Sequence, residues 1–400
     1  MTARLVLYDD ATARAFEPFA HTRPVGELRA GGALLRERWE RIAAARATGF
    51  VSAPHLATFA EFDGPPAIHA TTLEAGTLLV NARFAAALDG VLDAGSTVWR
   101  CDGRVAAVRL TAPLDTQRLA DGSLGLDSLA TDGGAELRGW WLHDVWDLTR
   151  HLGEMLHSDI PLLAGDAEAP PAHAAVLGAH DALVARGAYV EPYVLFDTTN
   201  GAVLVQAGAR IAAFTRLEGP CIVGVDALVA GGRIAGSSIG PSTRVHGEVS
   251  ATIFIGHANK VHDGFVGHSV IGRWANLGAG TITSNLKNSY GDVALWTPSG
   301  VRSSGMPRLG SFIGDHVKLG IGSRLTTGCV IGAGANVFGS GITGKYVPPF
   351  AWGEQEPFAR WELEKFLTVT ARVMARRDVT LDDAGRALLR AAWQRSQPRA

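Results

Sequence analysis

A six-residue spacing of aliphatic side chains in the second half of this 400-residue chain restricts its possible folds more than any other feature. One unbroken series is Ile313, Leu319, Leu325, Ile331 and Val337. The same spacing recurs upstream in units sixteen residues apart, which begin at Ile239, Ile255 and Ile271. An α-helix has a period of 3.6 residues and cannot sustain a spacing of six, whereas a parallel β-helix can. We therefore predict a β-helix whose stacked coils bury a continuous aliphatic column.

The remaining parts of the chain have other patterns. Residues 5–8 form a short apolar run followed by two aspartates, which is typical of a buried strand that ends in a turn. Residues 33–46 have the apolar spacing of an amphipathic helix, and residues 164–175 are rich in alanine and proline, as in a linker. These patterns predict three parts: an α/β domain over 1–185, a β-helix domain over 186–350 and a helical tail over 351–400.

The composition fits a soluble protein with a large core. Hydrophobic residues make up 47% of the chain and charged residues 19%, and the net charge of −2 gives no general attraction to nucleic acids or anionic membranes. Three widely spaced cysteines predict a reducing compartment and no zinc site. The first residues lack the apolar segment of a signal peptide. We expect a cytoplasmic protein without a nucleic-acid or membrane partner.

Polar side chains interrupt the repeat between residues 259 and 288. His262 follows Val261, which the hexad spacing predicts to point inward, and it lies fourteen residues after Glu248 and fourteen before Asn276. Residues about one coil apart lie on neighbouring strands, roughly 4.8 Å from each other. We therefore predict a column of Glu248, His262 and Asn276, in which the carboxylate orients the imidazole and raises its basicity. The alternative is an ordinary polar surface.

The stretch from Ser284 to Gly310 contains no good hexads. It carries a tyrosine, a tryptophan, prolines and basic residues. We interpret it as a loop that leaves the coil. Long loops on a rigid scaffold tend to carry function, and the alternative is an inert insertion.

The string "NLGAGTITSN" at 276–285 resembles the Asn-[Ile/Leu]-Gly-Ala-Gly-Thr-Ile-Thr-x-Asn string of the acetyltransferase domain in bifunctional enzymes of the GlmU type. The resemblance implies a left-handed parallel β-helix that works as a homotrimer. It also implies catalytic roles for three residues: His262 as the base, Glu248 beside that base, and Asn285 in orienting the acetyl group. Asn276 matches an asparagine that contacts the sugar phosphate.

The segment departs from this family at three positions. The family's tyrosine three residues after the histidine is Phe265, the tyrosine after the second asparagine is Leu286, and the lysine that binds phosphate is Ser250. Three cations elsewhere in the segment are candidates to bind the substrate in place of that lysine: Arg233, Lys260 and Lys287.

The N-terminal stretch 7–31 lies where sugar-nucleotide pyrophosphorylases have their glycine-rich phosphate loop, and the chain resembles a divergent bacterial branch of sugar nucleotidyltransferases. Phosphate-binding loops need glycines so that backbone N–H groups can approach the ligand, but aspartates stand here at positions 9 and 10. Arg23 is either a phosphate ligand or a structural arginine. Asn81 lies where the family commonly has an aspartate that binds Mg²⁺, and it is a weaker ligand.

Together these features predict a bifunctional transferase. The β-helix would transfer an acetyl group from acetyl-CoA to an amino-sugar phosphate, as in the synthesis of UDP-N-acetylglucosamine. The N-terminal domain would join the sugar phosphate to a nucleotide from a nucleoside triphosphate, with Mg²⁺ balancing the phosphate charge. Two alternatives stay open. In one, a single activity is retained, and the missing glycines favour the acetyltransferase; in the other, the chain is a non-catalytic scaffold that binds sugar nucleotides. Asp263 and His268 are reserve candidates for the site.

Overall fold

The computed structural model describes residues 4–130 and 133–397 and divides the chain into two compact units. One unit comprises Met1–Asp147 with Leu381–Ala400, and the other comprises Leu148–Thr380. The predicted boundaries at 185 and 350 differ from this division. The first β-helix strand already begins at Ala175, the last residue of the predicted linker, and the predicted helical tail is shared between the two units.

The first unit contains a six-stranded mixed sheet. In spatial order its strands are Ala135–Glu136, Val98–Cys101, Arg104–Arg109, Leu78–Asn81, Leu5–Tyr8 and Ala47–Val51. The three strands from Leu78–Asn81 to Ala47–Val51 pair in parallel, so their carboxyl ends meet at one edge. Three two-stranded sheets accompany this sheet: Arg29–Ala30 with Ala33–Leu34, Thr72–Leu73 with Leu114–Asp115, and Phe84–Ala86 with Gly139–Trp141.

Two α-helices belong to the first unit. The helix Leu35–Ala43 buries Leu35 and Trp39 on one face, and the Glu37 carboxylate accepts the backbone N–H of Leu34 at 2.7 Å at its start. The helix Asp383–Arg395 begins where the Asp382 carboxylate accepts a backbone N–H. The short 3₁₀ helices are Ala13–Ala15, Val25–Glu27, Pro54–Leu56, Thr116–Leu119 and Leu126–Leu129.

The second unit is a left-handed β-helix, as predicted. One of its faces is a nine-stranded parallel sheet: Ala182–Val184, Val203–Val205, Cys221–Val223, Ser238–Ile239, Ile253–Phe254, Val270–Ile271, Phe312–Ile313, Val330–Ile331 and Tyr346–Val347. The other two faces share a seventeen-stranded sheet. Its strands are Ala175–Gly178, Tyr189–Val190, Leu195–Thr198, Arg210–Ile211, Thr215–Glu218, Leu228–Ala235, Arg244–Ser250, Asn259–Lys260, Gly264–Gly267, Asn276–Leu277, Thr281–Thr283, Lys318–Leu319, Arg324–Leu325, Asn336–Val337, Ile342–Thr343, Ala351–Gly353 and Ala359–Arg360. Helices Asp147–Arg150, Leu152–Leu163 and Leu363–Ala375 complete the described α-helices.

The inward column is formed by the predicted aliphatic side chains. Each member of the series from Ile313 to Val337 is at most 3% exposed. The hexad prediction is wrong for one coil, because that coil is fifteen residues long rather than sixteen. Its register pairs Ile239 with Phe254 and Val245 with Lys260. Phe254 and Lys260 therefore occupy the columns predicted for Ile255 and Val261.

The predicted loop leaves the β-helix where expected. Strand residue Val270 pairs with Phe312, and the hydrogen bond from the Leu309 N–H to the Asn285 carbonyl closes the mouth of the loop at 2.9 Å. Within the loop, Ala294–Thr297 and Gly300–Ser303 form an antiparallel hairpin. Among the described residues, no helix is both long and apolar enough to cross a membrane.

Candidate functional site

The predicted acetyltransferase residues surround one corner of the β-helix. His262 is exposed in the turn between strands Asn259–Lys260 and Gly264–Gly267, which belong to two different faces. Asn276 lies on the first of these faces, and Arg233 and Glu248 lie on the second. The corner therefore brings a histidine between an amide and a pair of charged side chains.

The predicted column of Glu248, His262 and Asn276 is wrong in register. Glu248 stacks between Arg233 and Phe265, and Asn276 stacks on Asn259. The reason is the coil length here, which is seventeen residues between strand partners such as 259 and 276, rather than fourteen. Glu248 instead forms an ion pair with Arg233, whose Nη1 lies 3.3 Å from its Oε1.

The seventeen-residue spacing gives another imidazole at this corner a carboxylate partner. Nδ1 of His246 is 3.3 Å from Oδ1 of Asp263, an ion-pair distance. Glycines at positive φ form the neighbouring turns, and a Cβ added at Gly231 would contact the imidazole of His246. Asp263 was predicted only as a reserve candidate, and His246 was not predicted at all.

All three predicted substrate-binding cations make contacts within the chain, but they differ in whether they face the solvent. Lys260 is 2% exposed, and its ammonium donates to two backbone carbonyls, so it lies beneath the corner rather than on it. Lys287 donates to the carbonyl of Asp292 inside the expelled loop. Arg233 is exposed but held by two hydrogen bonds to Glu218, at 2.9 and 2.6 Å, which raise its pKa above the ordinary value. Of the three, only Arg233 faces outward beside the corner.

Asn276 is oriented by its neighbour on the preceding coil. Its Oδ1 accepts a hydrogen bond from Nδ2 of Asn259 at 2.9 Å. Both side chains are half-buried. This bond directs the Asn276 carbonyl oxygen along the column and leaves its amide N–H groups to face a ligand.

Asn285 lies at the far end of the second face, next to the mouth of the loop. Its Nδ2 is 2.8 Å from Nδ1 of His268. Burial, and then the charge of Arg308, lowers the pKa of His268 to about 4, so the imidazole is neutral at pH 7 and accepts this bond. A Cβ added at Gly267 would meet both Asn285 and the ring of Phe265, so these side chains border one narrow position. Strand Gly264–Gly267 separates Asn285 from His262 within one chain.

In the first unit, carboxylates of the chain itself accept hydrogen bonds from the N–H and O–H groups near the end of strand Leu5–Tyr8. Oδ2 of Asp9 accepts the backbone N–H of Val25 at 3.2 Å and the hydroxyl of Ser52. Asp9 is buried, and burial raises its pKa to about 6. Asp10 accepts the N–H of Ala13 at 2.8 Å. The segment thus binds its own carboxylates in the manner in which a glycine-rich loop binds phosphate.

These residues do not fit a Mg²⁺ site. Both oxygens of Asp10 are 2.9 Å from Nε of Arg83, and Oδ2 also accepts from Nδ2 of Asn81. Oδ1 of Asn81 accepts the backbone N–H of Arg83. The guanidinium of Arg83 therefore already neutralises the carboxylate of Asp10. Asn81, a candidate nucleotide-binding residue at the position of the family's metal-binding aspartate, lies beside that carboxylate.

Arg23 is buried in the first unit. Its side chain is 2% exposed, and its Nη1 is 2.7 Å from Oε2 of Glu61. The sequence left two roles open for Arg23, that of a phosphate ligand and that of a structural arginine. The buried ion pair supports the structural role. A cleft of about 180 Å³ lies beyond the end of strand Ala47–Val51, and its polar lining includes Ser52, His69 and Gln117. Ser52 joins this cleft to the buried carboxylate of Asp9.

The two units define a class of protein in which an α/β domain of the nucleotidyltransferase type is joined to a left-handed β-helix. Comparison with known proteins agrees with this class. Residues 5–168 match the family described as sugar nucleotidyl transferase. "Bifunctional protein GlmU" of Bartonella quintana is 32% identical over 177 residues, which are 42% of this chain and 34% of that protein.

Two further relatives carry related names. "Bifunctional protein GlmU" of Jannaschia sp. is 32% identical over 170 residues, or 41% of this chain and 32% of that protein. The "Bifunctional sugar-1-phosphate nucleotidylyltransferase/acetyltransferase" of Sulfurisphaera tokodaii is 34% identical over 100 residues, a quarter of each chain. The chain thus spans about a third or less of the length of these relatives. The matches confirm the predicted resemblance to GlmU-type proteins, and the Sulfurisphaera tokodaii relative is a transferase by its name, the class of enzyme predicted for this chain.

Proposed function

We propose that the β-helix transfers an acetyl group from acetyl-CoA to the amine of an amino-sugar phosphate. The observation that carries this proposal is the corner itself, where an exposed histidine lies between an oriented asparagine and an outward arginine. The chain's similarity to proteins named as acetyltransferases supports it further. The predicted trimer would complete such a site with a neighbouring chain, and the predicted cytoplasmic location agrees with the supply of acetyl-CoA.

His262 is the proposed base. Its imidazole takes the proton from the amine as the amine nitrogen attacks the thioester carbonyl carbon. The C–N bond forms, the C–S bond breaks, and CoA leaves as a thiolate that is protonated by solvent. Backbone N–H groups stabilise the oxyanion of the tetrahedral intermediate. Asn276 contacts the sugar phosphate, and Asn285 of a neighbouring copy orients the thioester.

Glu248 has a different proposed role from the predicted one. Because it pairs with Arg233 rather than with His262, it orients the guanidinium. Arg233 then offers the phosphate of the substrate a cation beside the corner, in place of the missing lysine. The phosphate competes with Glu218 and Glu248 for this guanidinium.

The test measures CoA release from acetyl-CoA and glucosamine-1-phosphate, followed by a panel of other amino-sugar phosphates. We expect turnover by the wild type and a loss of about 100-fold or more in His262→Ala, because a general base contributes on this order. The matched control is His180→Ala, which removes another exposed histidine of the β-helix unit. No turnover with any amino sugar would exclude the function. Full activity of His262→Ala would exclude only the assigned base.

Nucleotidyl transfer by the first unit is the second candidate. The match of residues 5–168 to sugar nucleotidyl transferases and the cleft beside Ser52 favour it. The carboxylates of Asp9 and Asp10, which occupy donors that phosphate would need, favour a unit that has lost this activity. Pyrophosphate release from UTP and N-acetylglucosamine-1-phosphate decides between them. Tight binding of sugar nucleotides without turnover in either assay would support the scaffold alternative.

A further inference from the structure

Lys260 occupies a position in the β-helix that other coils fill with an aliphatic side chain. Val245 precedes it in the same column, and Leu277 and Leu319 lie on strands further along this face. Lys260 is nevertheless 2% exposed. An ammonium buried at such a position loses its hydration and needs acceptors from the protein.

The ammonium joins two turns of consecutive coils. Nζ donates to the carbonyl of His246 at 2.8 Å and to the carbonyl of His262 at 2.6 Å. Each of these turns carries a histidine at the corner of the proposed site. One cation thus links the backbone that presents His262 to the backbone of the preceding coil.

Charged and titratable groups surround this link. The carboxylate of Asp263 is close enough to act electrostatically on Lys260, and its Oδ1 lies 3.3 Å from Nδ1 of His246, with which it forms an ion pair when that histidine is protonated. Burial lowers the pKa of Lys260 to about 8, and the negative charge of Asp263 opposes this decrease. Lys260, Asp263, His246 and His262 therefore form one compact set across two coils.

We propose that Lys260 is a positioning residue, whose buried ammonium fixes the two turns and so holds His262 where it accepts the proton of the attacking amine. This inference rests on the proposed acetyl transfer. Lys260 does not contact the substrate, because its ammonium lies beneath the turns. Deprotonation weakens both hydrogen bonds, so acetyl transfer should decline as the pH rises through about 8.

The experiment compares Lys260→Met with Arg377→Met. Methionine keeps the apolar stem and removes the cation in both variants. Arg377 is the matched control because its Nη1 also donates to a backbone carbonyl of a β-helix turn, that of Ser242 at 2.7 Å, rather than to the carbonyls of His246 and His262. We expect kcat for acetyl transfer to fall by about tenfold or more in Lys260→Met, since misplacement of a catalytic group is costly, with KM for acetyl-CoA nearly unchanged. Arg377→Met should keep kcat within about twofold of the wild type.

The pH profile and a conservative variant separate positioning from general stability. The decline above pH 8 should be absent in Lys260→Met and in Lys260→Gln, and the amide donor of glutamine should restore part of kcat. Lys260→Gln also serves if the methionine variant does not fold. A wild-type kcat in Lys260→Met, an unchanged alkaline decline, or an equal loss in Arg377→Met would overturn the proposal.

A readout independent of catalysis distinguishes this inference from the proposed function. The ring resonances of His246 and His262 are followed by NMR, with His→Gln variants providing the assignments. Both should move in Lys260→Met and remain in place in Arg377→Met. If the wild type does not turn over acetyl-CoA, the proposed function fails, but shifted rings would still support the link. Rings that stay unchanged in Lys260→Met would refute it.

Discussion

Replacement of Asp9 by asparagine should change how the stability of the protein depends on pH. Asp9 is 2% exposed, and among the described residues its Oδ1 has no hydrogen-bond partner. Burial raises its pKa from 3.8 to about 6, although the bonds from Ser52 and Val25 oppose this. The folded state therefore binds the proton more tightly than the unfolded state.

Proton linkage gives the sign and the size of the change in the free energy of unfolding with pH. Between about pH 4 and pH 6 the folded protein holds more protons than the unfolded chain, so the free energy of unfolding decreases as the pH rises. At about 1.4 kcal/mol for each pH unit, the total decrease is about 3 kcal/mol, and it is complete above about pH 7. The amide introduced by Asp9→Asn cannot ionise. The advantage of this variant over the wild type should therefore grow by about 3 kcal/mol from about pH 4 to pH 7, whatever constant offset its lost or gained hydrogen bonds add.

The assay is urea denaturation of both proteins at one-unit steps from about pH 4 to pH 8. Asp121→Asn is the control, because hydrogen bonds from Ser123 lower rather than raise the pKa of that exposed carboxyl. Its stability difference from the wild type should move in the opposite direction with pH. A difference between Asp9→Asn and the wild type that stays constant over this whole pH range would show that folding does not raise the pKa of Asp9.

Three further predictions concern the effect of single substitutions on stability or activity. Ile271→Ala should lower the free energy of unfolding by about 2–5 kcal/mol in denaturation, because Ile271 is fully buried, whereas Ile321→Ala, at an 82% exposed position, should change little. Arg83→Met should cost about 3 kcal/mol or more by the same measurement, since it leaves the carboxylate of Asp10 without its cation; no loss would contradict the ion pair. Gly264→Ala should reduce both the melting temperature and acetyl transfer, because φ is +129° and a Cβ would collide with the next coil; wild-type behaviour would contradict the turn.

The sequence predicts the β-helix because its physical cause is local and periodic. Each coil must supply aliphatic side chains to the same column, so the spacing of Ile313, Leu319 and their successors is visible without structure. The loop was visible for the complementary reason, since it lacks that spacing. The boundary between the two units was not visible in the sequence. The amino acids of helices Asp147–Arg150 and Leu152–Leu163 do not indicate to which unit these helices belong.

The site was harder to predict because turn length sets which residues stack. Coils here vary between fifteen and seventeen residues, as the pairs Val245–Lys260 and Asn259–Asn276 show. A spacing of fourteen therefore selected the wrong partner for His262. A search at seventeen residues would have found Asn259 with Asn276, His246 with Asp263 and His268 with Asn285.

In the first unit, the absence of glycines was visible in the sequence, but its consequence was not. The side chains that contact the carboxylates of Asp9 and Asp10 come from distant segments, since Ser52 donates to Asp9 and Arg83 donates to Asp10. Such contacts depend on tertiary packing rather than on local pattern. The poor fit for Mg²⁺ therefore emerged only from the structure.

The most direct test of the acetyl-transfer account is mass spectrometry of glucosamine-1-phosphate after incubation with acetyl-CoA and enzyme. We expect the wild type to convert the amine to its N-acetyl form, and we expect His262→Ala, folded as judged by circular dichroism, to do so at least about 100-fold more slowly. Equal product formation by both proteins would contradict His262 as the catalytic base. No acetylated product from any amino-sugar phosphate would contradict the reaction itself.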